Sequence, residues 1–219
     1  MTINLEILCI GNELLIGKIK DTNAHYLATK VTQLGANVKR ATVIQDTIEE
    51  IANTILECIE RKPQFIVTTG GLGPTFDDKT LQGLAQALKS PLEVNAQAFA
   101  MVKRRCEEYA TKRQIQTPIE MTATRVKMAT LPKGTKPINN PLGSAPGVQA
   151  NFGETILFAL PGVPTEMEAI FNETIAPLLK VTVGGSMFCE RSLFVEGVTE
   201  SHLVPLVDKV MRDNIGAYR

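Results

Sequence analysis

The stretch Phe65-Ile66-Val67-Thr68-Thr69-Gly70-Gly71-Leu72-Gly73-Pro74-Thr75-Phe76-Asp77-Asp78-Lys79-Thr80 decides how this chain of 219 residues is read. Phe65-Ile66-Val67 is apolar without alternation, as a strand buried on both faces of a parallel sheet requires. Gly70, Gly71 and Gly73 then let the backbone come close to a ligand and point N–H groups at an anion, with the dipole of the next helix behind them. Thr68, Thr69 and Thr75 add hydroxyls that can donate to phosphate oxygens. Asp77 and Asp78 have the wrong sign for phosphate, and make chemical sense if a divalent cation bridges carboxylate and phosphate. The plainer alternative is a tight strand-to-helix turn with Asp77 or Asp78 as N-cap. Three glycines, three threonines and two adjacent acids exceed what such a turn needs. The spacing fits neither a Walker A loop nor a Rossmann GxGxxG fingerprint.

Around this loop, apolar strands alternate with segments of helical periodicity. Strands are predicted at Ile3 to Ile10, Val38 to Ile44 and Thr155 to Leu160. Helices are predicted from Thr22 to the Gly35 stop, after an Asp46-Thr47 cap, and from Lys79 to Leu88. The alternation implies an α/β fold of three layers, α/β/α, with a mostly parallel sheet. Val94 to Ala123 reads as a longer, more polar helical excursion. Beyond Met128 loop chemistry dominates, through Asn140-Pro141-Leu142-Gly143-Ser144-Ala145-Pro146-Gly147. Pro161-Gly162-Val163-Pro164 launches a helix to about Leu179. From residue 181 the pattern resets to a strand near Ser192 to Val195 and a helix from Glu200 to about Val210. We therefore expect a main domain over 1–180 and a small α+β C-terminal subdomain over 181–219.

In an open α/β sheet, ligands bind beyond the carboxyl ends of the strands. The loops Gly11–Thr22, Thr68–Asp78 and Pro161–Glu166 each follow a strand and are expected on one edge. Glu13 and Asp21 flank the first, with Asn23 just inside its helix. Taken alone, Asp21 reads first as a helix cap, and Asp46 carries the same ambiguity; facing Asp78 across the strand ends they would complete a carboxylate cluster, while Glu166 reads equally as a first-turn helix acid or a ligand. Gly143, Ser144, Pro161 and Gly162 can fix loops against a ligand, although Pro and Gly also serve as plain punctuation. His25 and His202 are isolated, and no Ser-His-Asp or Cys-His set can be assembled. Acids and hydroxyls suit metal-assisted attack of water on a phosphate ester or anhydride better than nucleophilic catalysis.

Composition narrows the class. Lys+Arg and Asp+Glu both number 23, so the net charge is zero. No nucleic-acid partner is expected, since such binders carry a basic surplus. The basic run Lys103-Arg104-Arg105 lies beside Glu107 and Glu108 and reads as a solvated helix face. Cys9, Cys58, Cys106 and Cys189 form no CxxC pair, so buried free thiols are expected. No secretory n-region and no membrane-spanning apolar run is present, which points to the cytoplasm and away from membranes.

Four ordered blocks carry a resemblance. Gly11-Asn12-Glu13-Leu14-Leu15-Ile16-Gly17 with Asp21-Thr22-Asn23, Thr69 through Thr80, Asn140 through Gly147, and Leu160-Pro161-Gly162-Val163-Pro164-Thr165-Glu166-Met167 resemble the competence/damage-inducible CinA-type N-terminal domain, in its short stand-alone form. The resemblance covers about residues 4–180. It implies a molybdopterin-binding-like fold, often homo-oligomeric, with a nucleotide or pterin ligand. It further implies metal-dependent hydrolysis of nucleotide pyrophosphates such as ADP-ribose. The alternatives are molybdopterin binding or adenylyl transfer in cofactor biosynthesis, and a non-catalytic nucleotide-binding module. Thr69, Gly70, Gly71, Gly73, Thr75 and Thr80 are then expected at the ligand, joined by Asn23, Gly143, Ser144, Pro161 and Gly162. Asp78 and Asp46 are the expected catalytic acids, and Asp77, Asp78 and Glu13 the ligands of Mg²⁺, Mn²⁺ or Co²⁺.

Overall fold

The structure is a computed structural model describing residues 3–114, 120–184, 192 and 194–213. The chain divides into two units, Met1–Phe188 and Cys189–Arg219. In the first, β1 (Asn4–Ile10) is followed by α1 (Asn12–Leu15), α2 (Thr22–Gln33), β2 (Asn37–Ile44), α3 (Ile48–Glu60) and β3 (Phe65–Thr69). Then come α4 (Thr80–Ala87), β4 (Leu92–Val94), α5 (Ala96–Lys112), α6 (Ala123–Met128), β5 (Thr130–Pro132), β6 (Lys136–Ile138) and β7 (Gly147–Phe152). The unit closes with β8 (Thr155–Leu160), α7 (Pro164–Ile170), a π turn (Phe171–Ile175) and α8 (Ala176–Val183).

Six strands form one sheet in the order β2-β1-β3-β8-β7-β6. β1, β2, β3 and β8 run parallel, while β7 is antiparallel to both β8 and β6. Side-chain alternation splits β1 between two cores. Leu8 and Ile10 pack with α3 and α4, and Leu5, Ile7 and Cys9 pack with α2 and α7 on the opposite face. The result is the expected three-layer α/β/α arrangement. The chain leaves β1 toward β2 and returns to β3 on the other side. The crevice beyond the ends of β1 and β3 is therefore a topological switch point, where such sheets bind ligands.

Several sequence expectations are corrected. Residues after Met128 are not mainly loop, since β5, β6 and β7 lie there. β5 and β6 have three residues each, too short to show a period. β7 is recognisable afterwards from inward-facing Val148 and Ala150, joined to β8 by a two-residue turn at Gly153-Glu154 where Gly153 has φ +61°. Leu92–Val94 forms β4 against β5, so the helical excursion begins only at Ala96. The helix after Pro164 continues to Val183, past the expected boundary. Pro177 has no N–H for an i→i−4 bond, and the widened π turn just before it absorbs the interruption. In the second unit the described residues carry α9 (Glu200–Asp213) and no strand; of the expected strand, Leu193 lies outside the described residues. The Lys103-Arg104-Arg105 run is a helix face as expected, with pairs from Lys103 to Glu107 and from Arg104 and Arg105 to Glu108.

One polar pair anchors the sheet. Glu6 of β1 is 4% exposed, and Arg61 at the end of α3 donates to it from Nε at 2.8 Å and Nη2 at 2.7 Å. Burial alone would push the Glu6 carboxyl up, yet the guanidinium holds it below its ordinary value. Arg61→Ala leaves that carboxylate buried and unpaired, and should cost about 2 kcal/mol, lowering the unfolding midpoint by roughly 4–8 °C. A depressed carboxylate pKa contributes stability that is present above the ordinary value and lost as pH falls through the lowered one. The difference between wild type and variant, read by thermal denaturation, should be full at neutral pH and fade in acid.

Candidate functional site

A cleft of about 680 Å³ opens at the switch point, within the range of small-molecule sites. The three predicted loops all line it: Gly11, Glu13 and Asp21 with Asn23 from the first, Thr69 to Pro74 with Asp77 and Asp78 from the second, and Pro161 to Pro164 with Glu166 from the third. Asp46 and Ser144 complete the wall.

The glycine loop is shaped by contacts that only glycine allows. Gly70 has φ +103°, and a Cβ there would sit 2.2 Å from the Ile10 carbonyl oxygen. A Cβ on Gly71 would meet Thr80 Oγ1 at 2.2 Å and Asp46 Oδ2 at 3.3 Å. Thr80 itself is 1% exposed and does not line the cleft. Its hydroxyl donates to Gly70 O at 2.8 Å and its N–H to Gly71 O at 3.1 Å, so it supports the loop from below instead of meeting a ligand. Because a trans peptide points N–H opposite to C=O, the amides of Gly71 and Leu72 face away from Thr80. The Gly70 N–H is already committed to Leu160 O at 3.0 Å.

The acids are individually held. Thr75 donates to Asp78 Oδ2 from its N–H at 2.9 Å and from its hydroxyl, which takes exposed Thr75 out of the cleft lining and turns Asp78 back onto the loop. Neither Asp77 nor Asp78 caps α4, whose N-cap is Lys79. Asp77 is exposed and lines the cleft. Asp46 does not cap α3; its Oδ1 accepts from Lys79 N–H at 3.2 Å. Burial raises the Asp46 carboxyl to about 6, the Lys79 N–H opposes the shift, and the charges of Asp78 and Asp77 add to it. Glu13 folds back over Gly11, where a Cβ would lie 2.4 Å from its Oε1. Among the described residues no three His, Cys, Asp or Glu side chains converge as a metal cage, so Glu13, Asp77 and Asp78 are not brought together as one ligand set. Asp46 and Asp78, by contrast, both press on the glycine loop. A pair of carboxylates beside phosphate oxygens is the donor set a hard cation takes when it keeps several waters.

Asp21 is a helix cap, accepting from Ala24 N–H at 2.9 Å. Asn23 is 8% exposed and donates from Nδ2 to Gly162 O at 2.9 Å, leaving Oδ1 with no partner among the described residues. Because a carbonyl can only accept, this orientation is chemically fixed, and Asn23 presents an acceptor and not a phosphate donor. Gly143 does not line the cleft; its N–H donates to Asn140 Oδ1 at 2.8 Å. The Asn140 amide also donates to Ala145 O and to Glu166 Oε2, at 2.8 and 2.7 Å, and so ties the Ser144 loop to the α7 acid. Cys9 and Cys58 are buried thiols pushed up to about 12, each chiefly by burial, which leaves no thiolate for catalysis.

A family model described as "Probable molybdopterin binding domain" matches residues 6–181. This chain belongs to that family. A relative from Caldivirga maquilingensis is 44% identical over 210 residues, covering 96% of this chain and 77% of its own. The structure is similar to that of the CinA protein of Thermoplasma acidophilum, described as of unknown function, with TM-score 0.72 and 34% identity over 81% of this chain and 98% of that one. A molybdopterin biosynthesis protein from Mycobacterium abscessus shares the fold at TM-score 0.54 and 17% identity, over 82% and 93% of the two chains. No helix among the described residues is long and apolar enough to cross a membrane.

Sequence reading missed Lys127 of α6. Its Nζ donates to the carbonyls of Gly73 at 3.4 Å, Asp78 at 2.7 Å and Thr75. A lone lysine in a short helix some fifty residues from the loop leaves no periodic or motif signal, and only the fold brings the two together.

Proposed function

We propose that this chain hydrolyses a nucleotide pyrophosphate, of the ADP-ribose class, with the aid of a divalent metal. The observation that carries the reading is the pair Asp46 and Asp78 pressed against an anion-binding loop, at 3.3 Å from a Cβ on Gly71 and 2.6 Å from one on Gly73. Two carboxylates beside bound phosphate repel it unless a cation lies between them. The glycine loop would bind and orient the pyrophosphate through its outward amides. Asp46 and Asp78 would hold the ion, which would polarise the phosphoryl oxygen and acidify the attacking water.

The test is phosphate-linked hydrolysis of ADP-ribose with and without Mg²⁺, Mn²⁺ or Co²⁺, in wild type and Asp78→Asn. Asparagine keeps an acceptor for the Thr75 N–H while removing the charge, so the loop should keep its shape. Turnover should fall about 100-fold or more, the scale of losing an electrostatic contact made to the transition state. Unchanged turnover in that variant would overturn the assignment. Family membership favours a second reading, binding of a pterin phosphate at the same loop. Pterin fluorescence that co-purifies with the protein, together with no hydrolysis under any metal, would select it.

A further inference from the structure

We infer that Lys127 is a positioning residue that pre-forms the anion-binding loop by gathering its carbonyls from behind. The inference rests on the proposed role of the loop. The glycine loop is a thin wall, with the cleft on one side and a second hollow of about 450 Å³ on the other. Lys127 lines the second hollow and not the cleft. Its ammonium touches no ligand space, yet it meets carbonyls of Gly73, Thr75 and Asp78.

Each captured carbonyl fixes a peptide plane, and a trans peptide then sends its N–H the opposite way. The Asp78–Lys79 peptide shows both ends of this. Its C=O accepts from Lys127 Nζ at 2.7 Å, and its N–H donates to Asp46 Oδ1 at 3.2 Å. One peptide unit thus links the ammonium to the carboxylate, and Lys127 orients Asp46 without touching it. The Thr75–Phe76 peptide is held in the same way, which turns the Phe76 N–H away from Lys127. A third peptide, at Gly73-Pro74, has no N–H to offer, and there Lys127 only neutralises a carbonyl dipole that would otherwise repel an anion. Thr80 does the corresponding work for Gly70 and Gly71 from below, so the two residues divide the loop between them.

The experiment compares wild type with Lys127→Met, which keeps the stem and loses the charge, and Lys127→Arg, which keeps the charge. Amide spectra of the ligand-free proteins are recorded first, followed by calorimetric titration with inorganic pyrophosphate in the presence of Mg²⁺. The Phe76 and Lys79 amide resonances should shift in Lys127→Met before any ligand is added. Pyrophosphate affinity should fall about tenfold or more, with Lys127→Arg recovering a substantial part. If affinity falls while the free-state amides stay in place, the effect is through-space attraction and the inference is overturned. An arginine variant no better than methionine overturns it too. Should wild type bind no pyrophosphate, the proposed function of the loop fails, while the ligand-free spectra still decide whether Lys127 orients these peptides.

Discussion

Gly70→Ala is expected to lower the unfolding midpoint by roughly 10 °C and to abolish pyrophosphate binding, the scale of about 3–4 kcal/mol in a chain of this size. Two costs combine. At φ +103° an alanine is strained by about 1–3 kcal/mol wherever it stands. Here its Cβ would also lie 2.2 Å from the Ile10 carbonyl oxygen, which is backbone at the end of a central strand. Ile10 is paired with Ile44 across the sheet and is 3% exposed, so the strand cannot yield. The loop must move instead, and with it the amides of Gly71 and Leu72. Gly134 provides the internal control, since it has φ +86° and a Cβ there would meet nothing within 4 Å. Gly134→Ala should therefore show the conformational cost alone. Equal losses at the two positions, measured by chemical or thermal denaturation, would mean that the close approach of the loop to β1 carries no energy.

Much of this architecture was legible because its signals are local. The unbroken apolar run at Phe65-Ile66-Val67, the helical spacing after Thr22 and the Pro164 start each depend on neighbours a few residues away. From them followed the parallel sheet, the shared edge and the cleft. Signals that depend on distant partners were not legible. Thr80 sits in the motif and looks like a ligand contact, yet it is buried beneath Gly70 because α4 packs its first turn under the loop. Thr75 likewise spends its hydroxyl on Asp78. Asp46 looks like a helix cap from its place before Thr47, and only the position of Lys79 shows where its carboxylate is turned. Lys127 has no local signal at all. The short strands β5 and β6 escape notice because three residues cannot display a period of two convincingly.

Asp46→Asn should act in opposite directions on stability and on turnover. Burial and the nearby Asp78 and Asp77 raise the Asp46 carboxyl to about 6 from an ordinary 3.8. For an acid this sign means that the folded protein prefers the protonated form, so the ionised form costs stability. That cost is full above about pH 6, shrinks as pH falls through the raised value, and is gone below the ordinary one. Asparagine keeps the acceptor for Lys79 N–H and removes the charge. In metal-free buffer at neutral pH the variant should thus be more stable by about 1 kcal/mol, after discount for partial exposure, or roughly 2–4 °C in the unfolding midpoint. The gain should disappear toward pH 4, about where both proteins carry a neutral group at this position. Metal-dependent turnover should meanwhile fall by about 100-fold or more, since the variant gives up an anionic oxygen that the proposed chemistry uses. A carboxylate retained at a cost to the fold, and needed for the reaction, is the pattern of a residue kept for function. A variant that loses stability at neutral pH, or that turns over as fast as wild type, would instead mark Asp46 as an ordinary structural acid.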